Sequence, residues 1–132
     1  MSMSAFRNGL QAQLQTSLNI TFKAGRIDGP SESKDLGCTF PIRIAEGPSN
    51  LIVEQQLVGV RILKKLRHKR VLPEQALDPS ELEDLAEAFQ AVIKAHQVGL
   101  GPWFIRCSQI DFDLPAWGIE ALIIATDLNA GM

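Results

Sequence analysis

A chain of 132 residues, 45% hydrophobic and 21% charged, has the make-up of one globular domain built on a single core. Its formal net charge of −2 excludes a general attraction to nucleic acid or membrane, so any electrostatic role falls to local patches. No apolar run approaches the roughly 18 residues that a membrane-spanning helix needs.

The opening stretch lacks the apolar centre of a secretory signal and reads as part of the folded domain. Phe6, Leu10, Leu14 and Leu18 recur at four-residue spacing, which predicts a first helix over residues 4–18, weakened at Asn8-Gly9. A short strand over 20–23 follows, then a polar loop over 24–37 that carries Gly25, Gly29 and Pro30 and is expected to be mobile. Over 38–45, Cys38, Phe40, Ile42 and Ile44 alternate with Thr39, Pro41, Arg43 and Ala45, a strand period. Pro41 has no N–H to donate, which predicts an edge strand. After a turn at Gly47-Pro48-Ser49-Asn50, residues 51–66 form the longest strand candidate, because Gly59 and the β-branched Val58, Val60 and Ile62 disfavour a helix.

Asp78-Pro79-Ser80-Glu81 then opens a second helix over about 80–98, with a cap, a proline in the first turn and acids where the helix dipole favours them. Leu82, Leu85, Phe89, Val92, Ile93 and His96 define its expected buried face; Gly99 and Gly101 end it, with Pro102 beyond. Two strands, 103–112 and 119–128, close the chain around a hairpin at Pro115-Ala116-Trp117-Gly118. The order α-β-β-β-α-β-β predicts a single α+β domain: a mixed, mainly antiparallel sheet with two helices packed on one face.

Residues that could carry chemistry are few. The nucleophile elbow G-x-S-x-G, the phosphate-binding loop and the dinucleotide fingerprint are all absent. Gly99-x-Gly101 runs into a proline and a strand, so it reads as a helix stop. His96 falls on the apolar helix face and His68 in a charged run, with no metal-ligand spacing to either cysteine. Cys38 and Cys107 are isolated thiols, expected to pack as small apolar groups in a reducing, cytosolic setting. Asp111 and Asp113, two apart on a strand, share a side; they fit a solvated face that discourages edge pairing better than acid–base work. Trp103 and Trp117, in a chain without tyrosine, suit packing rather than base stacking. No catalytic, cofactor-binding or metal-binding residue is therefore expected.

The most informative feature is a reversal of charge. Lys64, Lys65, Arg67, Lys69 and Arg70 lie within seven residues, and Asp78, Glu81, Glu83, Asp84 and Glu87 follow almost at once. Complementary blocks of this kind suit a subunit that docks on copies of itself or on a partner. They also suit mutual satisfaction within one chain. A lone basic run without interleaved aromatics is weak support for phosphate binding.

The succession of an N-terminal helix, a long strand ending in a charged loop, a D-P-S-E-capped acidic helix and a final strand pair around P-A-W-G resembles the tail terminator proteins of long-tailed bacteriophages. The likeness is one of size, element order and character. It is most evident in FIRCSQIDFDLPAWGIEALIIATDL, where an acid-rich turn with a tryptophan leads into an apolar last strand. The resemblance implies a ring, typically a hexamer, that caps the tail tube, stops its growth and offers the head-joining surface. Its implied partners are the tube protein and the head–tail connector, with passing proximity to DNA and no membrane. The implied location is the virion tail, reached from the host cytoplasm. The runner-up is another connector or tube-like subunit; from a different class, a small nucleic-acid-binding module could use the basic run.

Overall fold

The structure, a computed structural model, describes residues 3–29, 31, 34–46, 54–65, 78–96, 101 and 103–127. The elements are α1 (Met3–Leu18), β1 (Thr21–Phe22), β2 (Leu36–Glu46), β3 (Glu54–Leu63), α2 (Ser80–Ala95), β4 (Trp103–Asp113) and β5 (Gly118–Asp127). They appear in the expected order and make an α+β domain with one five-stranded sheet, β1-β2-β3-β5-β4. Among the described strands, β1 and β2 run parallel and the other pairs antiparallel, and an isolated parallel bridge joins Ser31 to Lys65.

Each helix forms because its apolar spacing gives it one face to bury. Phe6, Leu10 and Leu14 on α1 are almost wholly buried, as are Leu82, Phe89 and Ile93 on α2. These stripes meet Val58, Val60 and Ile62 of β3 and Ile119, Ala121, Ile123 and Ala125 of β5. Those strand residues sit two apart, so they share one sheet face, and both helices cover it. Phe6 and Trp103 close the core between α1 and β4, their ring centroids 5.6 Å apart. Asn19, with φ of 54°, ends α1 in the left-handed conformation and turns Ile20 into the core. Gln15 Oε1 then accepts the Phe22 N–H, and the Thr39 hydroxyl donates to Gln11 Oε1, tying α1 to β1 and β2.

Several expectations shift. The strand over 20–23 shortens to two residues, and β2 begins earlier, at Leu36. Of the long strand over 51–66, residues 54–63 are strand, while 51–53 and 66 lie outside the described residues. So do the turn at 47–50, Gly99 and Pro102. α2 ends at Ala95, and His96 caps it half-exposed instead of packing on the buried face. The apolar alternation of β2 does not put its four apolar residues on one side. A bulge between Pro41 and Arg43 reverses the phase. Cys38 and Phe40 therefore face away from the helices while Ile44 faces their side, opposite Gln56.

Candidate interaction surfaces

The charge blocks separate unequally. Only Lys64 and Lys65 of the basic run are described; Arg67, Lys69, Arg70 and His68 lie outside the described residues. Lys64 Nζ sits 3.7 Å from Asp35 Oδ2, and the Lys65 N–H donates to Asp35 Oδ1 at 2.8 Å. The partner of this strand end is thus the 24–37 loop, not α2. That loop is held elsewhere too: the Ile27 N–H meets Cys38 Sγ, and Arg26 pairs with Glu120 at 3.0 Å.

Just ahead of α2, Asp78 Oδ1 accepts the Ser80 N–H at 3.0 Å, while Pro79 takes the capping position that the sequence had given to Asp78 and makes no side-chain cap bond. The bond from Ser80 holds the Asp78 carboxyl below its usual range. Glu83, Asp84 and Glu87 are exposed on the same helix and make no ion pair with another described residue. Glu81 is half-buried in its first turn.

A second charged group, not singled out by spacing, sits on the sheet face away from the helices. Arg61 is 7% exposed; its guanidinium reaches Asp113 at 2.8 Å and Glu120 at 3.6 Å. Arg26 joins from the loop and lies over the Phe40 ring, 4.5 Å from its centroid. Phe40 in turn covers Gly59, where a Cβ would collide with the ring. Asp113 also accepts the Ala116 N–H at 3.1 Å at the hairpin, and this bond, helped by Arg61, holds its carboxyl below its ordinary 3.8. Such a carboxylate stabilises the fold above its unfolded-state pKa, and the contribution is lost as pH falls through the lowered folded-state value. Asp113→Asn should therefore flatten the acid limb of a urea-midpoint profile below about pH 4, while the wild-type midpoint keeps falling there. Parallel profiles would show that Asp113 does not carry this dependence.

Among the described residues, large apolar side chains are exposed at two places. Beside α1, Arg7, Pro41, Ile42, Ile44, Gln56 and Val58 line a groove of about 470 Å³. Ile42 and Ile44 are 49% and 55% exposed there. Gln56, 4% exposed, leaves its Nε2 with no acceptor, and Arg7 and Arg43 on the groove wall have no ion pair with a described residue. Below the start of α2, Pro79, Leu82, Glu83, Phe112 and Leu114 line a second groove of about 260 Å³, with Phe112 and Leu114 50% and 55% exposed. Sequence reasoning passed over both. The available signals were Pro41, with no N–H for a further strand, and a lone apolar Phe112 between two aspartates.

The remaining candidates take structural places. Trp103 and Trp117 are 3% and 4% exposed, packed rather than presented. Cys38 is buried, and burial pushes the Cys107 thiol above its ordinary range, away from nucleophilic use. Among the described residues no three His, Cys, Asp or Glu side chains converge as metal ligands. No protein-family model matches the chain, and no curated protein is significantly similar to it. The class that fold and surface define is a small α+β domain with two separate apolar patches and a charged group around the buried Arg61.

Proposed function

We propose that this chain is a structural subunit that closes into a ring, and specifically a tail terminator of a long-tailed phage, capping the tail tube and offering the head-joining surface. The observation that carries the reading is the pair of half-exposed apolar patches, Ile42 with Ile44 on β2 and Phe112 with Leu114 at the end of β4 and the turn after it. Clustered apolar exposure of this kind marks protein contact more often than catalysis. The sequence resemblance supplies the particular assignment, and an element order that follows the expected one supports it. In this reading the basic run over residues 64–70 supplies charge for contacts with the tube or the connector, beyond the Lys64–Asp35 pair made within the chain. Exposed pairs contribute only about 0–1 kcal/mol each, so the run acts as a salt-sensitive network.

The test is mass in solution across a concentration series, followed by addition to growing tubes. The expected result is a closed ring, typically a hexamer, that halts tube extension. The triple variant Lys65→Glu, Arg67→Glu, Lys69→Glu should still fold and form the ring but lose capping at physiological salt. A chain that remains monomeric, or rings that leave tube growth unchanged, would sink the assignment.

A further inference from the structure

The two apolar grooves sit at diagonally opposite corners of the helix-bearing face. Cross-strand pairing puts Ile44 in one row with Gln56, Ala125 and Ile105, and Phe112 in another with Ile119, Ile62 and Gly37. Six residues along β5 separate the rows, and β2 lies three strand spacings from β4. At ~3.4 Å per residue and ~4.8 Å per strand, the corners are about 25 Å apart. Their charges are opposite. The corner at Ile42 and Ile44 carries Arg7, with Arg43 at its rim, paired with Leu57 and so set toward the other side of the sheet; the corner at Phe112 and Leu114 carries Glu83, with Asp84 and Glu87 exposed further along the same helix.

We propose that these corners are the two halves of one head-to-tail contact between copies of this chain. The groove beside α1 of one copy receives Phe112 and Leu114 of the next, with Arg7 meeting the acidic start of α2. The proposal rests on the ring reading above and names its subunit contact. A same-corner contact would bring arginines against arginines or carboxylates against carboxylates, and it would stop at a dimer. Unlike corners do neither. Because they are distant, one copy uses both at once, which a closed ring requires. The arrangement also places neighbouring carboxylates and carbonyls beside Gln56, whose buried Nε2 lacks an acceptor among the described residues.

The mixing of two disabled variants tests this directly. Ile44→Asp and Phe112→Asp replace exposed side chains, so each should stay folded by circular dichroism and sediment as a monomer, its self-association weakened at least about tenfold. Mixed in equal amounts, they should yield a complex of two chains and nothing larger, since each variant retains only one working corner. Independently, Arg7→Glu and Glu83→Arg should each weaken assembly, and their combination should recover most of it. A wild-type oligomer untouched by either aspartate, a mixture that stays monomeric, or a charge swap that recovers nothing would overturn this contact and leave the ring reading standing. A wild-type chain that remains monomeric at every concentration would overturn both.

Discussion

Phe89→Ala should lower the unfolding free energy by about 3–5 kcal/mol, the range for removing a large aromatic from a closed core. Phe89 is 0% exposed and lies at the middle of α2, in one cluster with Phe6, Leu10, Ile105 and Ile123. It is therefore surrounded by both helices and the central sheet, and the backbones that frame it have little freedom to close in. The loss should appear as a lower urea midpoint with an unchanged slope, because the surface exposed on unfolding stays nearly the same. A change within error would mean that α2 does not hold the sheet.

Gly118→Ala should cost on the order of 3 kcal/mol, by crowding instead of by cavity. Gly118 opens β5 directly after Trp117, whose φ of 59° bends the hairpin back on itself. It pairs with Leu63 on one side and Asp113 on the other. A Cβ there would sit against the Ile62 carbonyl oxygen, inside van der Waals contact, and 2.7 Å from Leu63 Cδ2. A carbonyl in a central ladder cannot rotate away as the tip of a side chain can. The substitution must push β3 and β5 apart, and next to it the Arg61–Asp113 pair would loosen as well. The expected reading is a lowered midpoint together with loss of the Asp113-dependent acid limb. Stability equal to the wild type would show that the hairpin shifts freely. By contrast, Gly25→Ala has open space at its Cβ and tests only the cost of a φ of 83°.

Much of the frame was readable along the chain. Four-residue apolar spacing located α1, and the D-P-S-E start located α2, because helical period and capping are local properties. Pro41 did not place β2 at the edge, since β1 lies outside it in the sheet; β1 pairs only with Leu36 and Gly37, however, so the missing N–H of Pro41 falls where no described strand needs it. The chain ends of the elements were less accessible. β1 kept two residues and α2 stopped before Gln97, because the length of an element is set by the partner it packs on.

The surfaces were another matter. Composition showed that five cations and five acids stand close in sequence, yet sequence distance does not say which charge meets which. In the fold, Lys64 turns to Asp35, and Arg61 gathers Asp113 from 52 residues away. Nor could alternation foretell the bulge at Ile42, which reverses which side β2 shows and leaves two isoleucines exposed at a corner. Local periodicity determined the kind and order of the elements, because a helix or strand needs only its own residues to declare its buried side. Strand order and register decided where the charges and the uncovered apolar corners lie, because those depend on residues that meet only when the sheet is assembled.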